Sequence, residues 1–380
     1  MARASRVQEI EVAPEADRLE GFPHPRETRQ LFGHVAAERE LAAALGSGRI
    51  HHAWLIAGPE GIGKATLAYR FAAYALAEPE ARGFVSVSLE LPENTQALRM
   101  VRAMSHPGLL VIRRPWDPKN KRFATNIPVD EVRKLRAFLA HTAGGTTGSG
   151  SSIERVVIVD QADELNVSSA NALLKSLEEP PPRTLFLLIT SQPGRLLPTI
   201  RSRCRALTLA PLAPQDLRAA AEQALAAADV QSPAEDADWP RLIHLARGSV
   251  RRLLALATTD GLELAQRVFS IFELLPKVDW AAAHAFGEEL SNAANEQRFE
   301  TFFDLLLDMS ARLARAAATG EGDPQEIALA RRLIPEGRLA SWAELWETVV
   351  REKAETLALN LDRKNLILET LSRLEGASRR

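Results

Sequence analysis

The segment Gly58-Pro59-Glu60-Gly61-Ile62-Gly63-Lys64-Ala65 carries the most chemistry in this chain. Three glycines let successive backbone amides curl around an anion, and a helix opening behind them adds positive potential from its N-terminus. Lys64 supplies a mobile charge that reaches the outer phosphates of a nucleotide. The last position of such a loop ordinarily carries a Ser or Thr hydroxyl that ligates Mg²⁺, and here it is Ala65. Thr66 follows, but one step along a helix rotates a side chain by about 100°, so it does not substitute. The loop is built to hold the phosphates of ATP or ADP and poorly built to hold the metal.

The second half of such a site is an acid at the end of a buried strand. Arg155-Val156-Val157-Ile158-Val159-Asp160 provides it, placing Asp160 at the strand edge where ligands bind in open α/β sheets. A glutamate after that acid would polarise an attacking water, but the next residue is Gln161. An amide cannot accept the proton, so general-base help is lost. Asp163 and Glu164 lie close in sequence, on a turn or helix expected to aim them elsewhere. Two defects fall on one reaction, so the loop leaves nucleotide binding open while turnover is not expected.

These residues need a scaffold, and the sequence supplies one. Ala53–Ala57 is an apolar run of strand length directly before the glycines, and a helix is expected from Lys64 to Ala77. Further strand-like runs occur at Leu109–Arg113, Arg155–Asp160 and Thr184–Thr190. Helical stretches at Leu31–Leu45, Asp130–His141 and Ser168–Glu179 accompany them. Alternating strands and helices predict an α/β domain, a parallel sheet flanked by helices, over residues 31–210. Residues 1–30 are polar with Pro14, Pro23 and Pro25, and read as a flexible or surface-draped arm. Gly144–Ser152 reads as a flexible surface connection. After Pro211 strand signals stop, which predicts a small helical domain over 211–260 and a helical C-terminal domain over 261–380. There Phe299, Phe302, Phe303, Leu306 and Leu313 share one helical face, as do Trp342, Leu345, Trp346 and Val349, and both stripes read as core.

Bulk composition narrows the classes. The chain has 380 residues, 46% of them apolar and 25% charged, which is ordinary for a globular protein. A net charge of -2 gives no whole-protein field for nucleic acid, so any such contact is local or shared with partners. The single cysteine, Cys204, excludes an intrachain disulfide framework and a cysteine-built zinc site. With no apolar run of membrane-spanning length and no signal-peptide pattern, a soluble protein of a reducing compartment, the cytoplasm, is expected.

Other segments carry a resemblance. Asn171-Ala172-Leu173-Leu174-Lys175-Ser176-Leu177-Glu178-Glu179-Pro180-Pro181 resembles the helix and stop of clamp-loader subunits in the AAA+ class. So does Leu197-Pro198-Thr199-Ile200-Arg201-Ser202-Arg203-Cys204, with its Ser-Arg-Cys triplet. The resemblance implies an AAA+ domain, a helical lid and a collar domain. It implies that Thr190 senses the γ-phosphate and that Arg203 is an arginine finger acting in trans on ATP held by a neighbouring subunit. A guanidinium suits that task because its charge is permanent and its donors match phosphate oxygens. Ala246-Arg247-Gly248-Ser249-Val250-Arg251-Arg252 is similar to the second sensor motif, with Arg251 at the nucleotide-contacting position.

Within the family, the ATP-hydrolysing tau/gamma branch carries an intact loop, an acidic pair after the strand and four zinc cysteines, all missing here. The delta-prime branch keeps the finger while its own site decays, and this chain resembles that branch. Many of its members carry zinc cysteines, whereas Ala77–Pro107 has none, so no zinc is implied. The implied partners are tau/gamma and delta subunits in a hetero-pentamer, primer-template DNA through that complex, and the sliding clamp indirectly. Two other readings remain: an active AAA+ ATPase of the tau/gamma or helicase-loading type, and a plain DNA-binding module, which the near-neutral charge disfavours.

Overall fold

The computed structural model describes residues 14–82, 88–120, 122–140, 153–230 and 236–379. They divide into two compact units, one running to residue 230 and taking in 247–251, the other comprising 236–246 and 252–379. The Gly144–Ser152 connection lies outside the described residues.

In the first unit the chain runs α1 (Val35–Gly46), β1 (Ala53–Ala57), α2 (Lys64–Leu76), α3 (Gln96–Arg102) and β2 (Leu109–Ile112). A two-stranded hairpin follows, β3 (Trp116–Asp117) and β4 (Arg122–Phe123), then α4 (Val129–Ala140), β5 (Arg155–Val159) and α5 (Val167–Glu178). The unit continues with β6 (Thr184–Thr190), α6 (Pro198–Arg201), β7 (Arg205–Thr208) and α7 (Pro214–Ala227). Five strands form one sheet in the order β2-β5-β6-β1-β7, every pair parallel.

Successive strand residues face opposite sides, so a sheet covered on both faces demands apolar residues at every position. Trp54, Ile56, Val156, Ile158, Leu185 and Leu187 pack on one face with α1 and α2. Ala53, Leu55, Val157, Val159, Phe186 and Leu188 pack on the other with Val132 and Leu135 of α4 and Leu173 and Leu177 of α5. The predicted strands and helices therefore appear within a residue or two of their expected ends, except that α1 begins at Val35, four residues after the expected Leu31. Strand β7 was not foreseen: its Arg-Ala-Leu-Thr alternation is short, and only pairing with β1 makes it a strand. The β3–β4 hairpin was not foreseen either.

Residues 14–30 are tied down more firmly than their polar composition implies. Pro25–Glu27 forms a short 3-10 turn capped by His24, Phe22 is buried, and His24 has no exposed surface. The structural reason is a set of charged partners far away in sequence, described below.

The second unit is helical: α8 (Trp239–Ala246), the larger part of α9 (Val250–Thr258), α10 (Gly261–Leu274), α11 (Trp280–Ser291), α12 (Glu296–Thr319), α13 (Pro324–Leu333), α14 (Leu339–Leu359) and α15 (Arg363–Arg379). The first aromatic stripe is core throughout, as expected, while in the second Trp342 and Val349 are buried and Leu345 and Trp346 half-buried. Phe302 meets Phe286 and Phe303 edge-on with centroids 5.0 and 5.4 Å apart, and Phe272 lies 6.5 Å from Trp342. Trp346 is half-buried and donates its indole N–H to the Leu307 carbonyl at 3.1 Å. Among the described residues, no helix is long and apolar enough to cross a membrane.

Candidate functional site

Because all five strands are parallel, their C-terminal ends share one edge of the sheet, and the loops leaving that edge bring the candidate residues together. Strand β1 ends at Ala57 opposite Thr190 of β6, and Ile112 of β2 lies opposite Val159 of β5. Gly58, Arg113, Asp160 and Ser191 therefore emerge side by side.

The phosphate loop needs its glycines for space as well as for backbone angles. Gly63 caps α2 with φ of 103°, in the left-handed region. Gly61 has φ of 74°, and a Cβ there would come within 2.4 Å of Ser249 Oγ and 2.5 Å of Arg251 Cβ. The Gly61 carbonyl accepts the Val250 amide at 2.8 Å. The segment 249–251 is thus stapled onto the loop, and the Arg251 guanidinium pairs with Glu60 at 3.5 Å. On the inner side, His34 Nε2 meets the Ile62 carbonyl at 2.7 Å, which the Nε2–H tautomer satisfies.

Lys64 is buried and fully employed. Its ammonium donates to the carbonyls of Gly58 at 2.7 Å and Pro59 at 2.6 Å, and to Ser191 Oγ at 2.9 Å. Burial pushes its pKa down, against the opposing pull of Glu60, Asp160 and Asp163. To meet a phosphate, this ammonium would exchange three existing hydrogen bonds.

The acidic side of the site is equally self-contained. Asp160 is buried, its Oδ1 accepts the Gln161 amide at 3.1 Å, and desolvation, reinforced by Asp17, pushes its pKa up to about 7. Gln161 sits in the left-handed region with φ of 54°. With its nitrogen toward Glu164, its side chain donates to that carboxylate at 2.7 and 3.1 Å. Glu164, also raised to about 7 by burial, makes a charge contact with Arg114 Nε at 2.7 Å. Asp163 Oδ1 accepts the Ser191 amide at 3.2 Å. Neither neighbouring acid is left to act as a displaced base. Thr190 is fully buried and its hydroxyl accepts the Gln192 amide at 3.1 Å.

The donor set does not fit a divalent cation. Ala65 offers a methyl group, Thr66 is buried in α2, and Asp160 resists ionisation in its dry position. Among the described residues no group of three or more His, Cys, Asp or Glu side chains is placed to hold a metal.

One cluster escaped the sequence altogether. Arg113, just beyond β2, pairs with Asp17 at 2.6 Å and with Glu15, and its Nη1 lies 3.2 Å from His24 Nε2. His24 Nε2 is 2.9 Å from Asp17, Tyr69 donates to Asp17 at 3.1 Å, and Arg26 pairs with Glu15 at 2.8 Å. This net holds the Asp17 carboxyl down at about 2 despite its burial. Its members lie up to 98 residues apart, so no local pattern announces them. The only sequence signal is Arg113 at the C-terminal end of an apolar run.

Arg203 stands apart from all of this. It lies between α6 and β7, and its guanidinium pairs with Glu178 at 2.9 Å and donates to the Thr199 carbonyl at 2.9 Å. Trp54 aligns with Arg205 in the parallel β1–β7 pair, so Arg203 enters at the N-terminal edge of the sheet. The phosphate loop leaves at the opposite edge, roughly 15 Å or more away along the strands. Arg203 is thus on the wrong side of the sheet to serve its own loop. The structure brings together Gly58, Gly61, Gly63, Lys64, Thr66, Asp160, Thr190 and Arg251 around one sheet edge, with Ala65 among them, and leaves Arg203 outside.

A family model described as DNA polymerase III, delta subunit, matches residues 33–213, which span the sheet and the Ser-Arg-Cys triplet. A DNA polymerase III subunit delta' of Pseudomonas aeruginosa is 33% identical over 78% of this chain and 82% of its own length. The delta' subunit of Escherichia coli is 37% identical over 45% of this chain and 46% of that protein. A gamma/tau subunit of Mycobacterium tuberculosis is 32% identical over 61% of this chain, which spans only 36% of that longer protein. With the match to delta' running through both compact units at one-third identity, the chain belongs to the DNA polymerase III delta' family of clamp-loader subunits.

Proposed function

We propose that this chain works as a structural and regulatory subunit of the sliding-clamp loader and presents Arg203 to ATP bound by an adjacent ATPase subunit. The observation that carries the proposal is the placement of Arg203 across the sheet from its own phosphate loop, half-exposed and held by Glu178. A cation so placed serves a site in trans and is of no use in cis. The partners in this reading are tau/gamma and delta subunits in a hetero-pentamer, and the assembly acts on primer-template DNA and the sliding clamp in the cytoplasm. Residues 31–210 act as the AAA+ domain, 211–260 as lid and 261–380 as collar.

The chain's own site contributes no turnover in this reading. Ala65 and Gln161 remove the metal ligand and the base, and Lys64 is already committed to Gly58, Pro59 and Ser191. Any ATP or ADP it takes up serves shape and not chemistry. Arg203→Ala leaves the fold intact, because a half-exposed pair such as Arg203–Glu178 contributes at most about 1 kcal/mol. It lowers the DNA- and clamp-stimulated ATPase of the assembled complex by roughly 10³-fold, the scale of a lost arginine finger. Unchanged stimulated ATPase in the Arg203→Ala complex sinks the finger assignment. Phosphate release by the isolated chain above background would instead favour an active ATPase.

A further inference from the structure

A long, half-exposed arginine serves a neighbour's nucleotide well only if its guanidinium already points there. We propose that Glu178 is the positioning residue that aims Arg203, and that His52 fixes the helix end from which Glu178 reaches it. This role rests on the trans-acting reading of Arg203.

The root of the Arg203 side chain is set by the core. Its amide donates to the carbonyl of Ile200 at 3.1 Å, Ile200 is fully buried, and half-buried Cys204 packs against the same core. The tip is held by two acceptors. Nη1 donates to the Thr199 carbonyl at 2.9 Å, and Nη2 pairs with Glu178 Oε1 at 2.9 Å. Among the described residues the other acceptor in reach is Ser202 Oγ, at 3.5 Å from Nη1. The Nε–H and one N–H of Nη2 therefore stay open to a ligand, and two donors on a planar group match two phosphate oxygens. The pair with Glu178 need not break for the finger to act.

Glu178 is delivered by the fold. It is the last residue of α5, whose Leu173 and Leu177 pack in the core. The Glu179 amide closes the final turn on the Lys175 carbonyl at 3.2 Å, and Pro180-Pro181 end the helix. The Leu177 carbonyl is one of those a helix end leaves unpaired, and His52 Nε2 meets it at 3.1 Å. Burial, and then the neighbouring His51, push the His52 pKa down, so the neutral ring donates from Nε2. The two rings stack at 4.5 Å. His52 leads directly into β1, and its own carbonyl accepts the Phe186 amide at 2.8 Å. The end of α5 is thereby tied to the sheet edge at which Arg203 enters. Arg203 pairs with Glu178 and not with the adjacent Glu179.

A finger acts on charge that grows in the transition state, so a badly aimed one lowers kcat and leaves the KM for ATP alone. The test uses the loader assembled with its tau/gamma and delta subunits, assayed for DNA- and clamp-stimulated ATPase. Glu178→Ala is expected to lower kcat about tenfold or more, with KM, assembly and the melting of the free chain unchanged. Glu178→Gln keeps an oxygen that accepts a guanidinium N–H, and should recover kcat to within about threefold of the unmodified complex. Glu179→Ala should leave kcat where it was. An unchanged or higher kcat in Glu178→Ala overturns the proposal, since a carboxylate that only competed with phosphate would slow the finger. A loss confined to KM or assembly, a loss that Gln does not recover, or an equal loss in Glu179→Ala overturns it too. Arg203→Ala in the same assay separates the two readings. If that variant is silent the finger itself falls, whereas a loss there with none in Glu178→Ala removes only the role of Glu178.

Discussion

The side-chain amide of Gln161 donates to the carboxylate of Glu164 at 2.7 Å, and this contact gives the missing base a structural role in its place. A glutamate at 161 would set two carboxylates against each other in a position where burial already holds Glu164 up at about 7. Gln161→Glu is therefore expected to lower stability by about 1–3 kcal/mol above pH 7, where both acids ionise. Near pH 5 the cost should largely vanish, because a protonated Glu164 donates to the new carboxylate. Urea unfolding at the two pH values measures this. Phosphate release should stay at background, since Ala65 is unchanged.

Lys64 offers a second test. In a working phosphate loop the lysine waits for a ligand, whereas here it binds its own loop. Lys64→Ala leaves two loop carbonyls and Ser191 Oγ without a donor, so the isolated chain should lose about 1–3 kcal/mol of stability with no nucleotide present. Denaturant unfolding of the nucleotide-free variant reads this directly, and an unchanged midpoint would show that the ammonium is not structural.

Gly61 and Gly48 separate crowding from backbone strain. Both have positive φ, 74° and 67°, but a Cβ at Gly48 meets nothing within 4 Å while one at Gly61 strikes Ser249 and Arg251. Gly48→Ala should cost about 1 kcal/mol from backbone angle alone. Gly61→Ala should cost about 2 kcal/mol more, since the 249–251 segment must move aside. Equal losses would mean that the staple is soft.

Asp160 and Asp17 give opposite pH signatures. Asp160 has a folded pKa of about 7 against an ordinary 3.8, so the native state holds the extra proton and stability falls as pH rises from about 4 to 7. Asp17, held at about 2, contributes stability that is complete above its ordinary pKa of 3.8 and is lost as pH falls toward 2. Asp160→Asn removes the first effect alone. Its melting temperature should match the unmodified chain near pH 4, draw ahead through neutrality, and keep a constant lead above it. A lead that is the same at every pH would rule out the raised pKa.

Much of this was legible in the sequence because it is local. A sheet buried on both faces writes itself as unbroken apolar runs, and Ala53–Ala57, Arg155–Val159 and Thr184–Thr190 were recognisable for that reason. Loop glycines, Ala65 and Gln161 sit at fixed offsets from those strands. What stayed hidden depends on contacts between distant segments. β7 exists only through its pairing with β1, and one of the three bonds of Lys64 reaches a serine 127 residues away. The site's self-closure is a property of side-chain direction, which spacing does not encode.

The charge net around Arg113 sets a limit on how far this protein can be shortened. Every recognisable motif begins at or after Leu31, and a fragment trimmed there would look complete by sequence. It would nevertheless strip Glu15, Asp17 and His24 from a guanidinium beside Asp160 and leave Tyr69 without its acceptor. The smallest autonomous unit thus starts upstream of its own signature, no later than Glu15. Limited proteolysis should accordingly spare residues 15–27 long after exposed turns are cut.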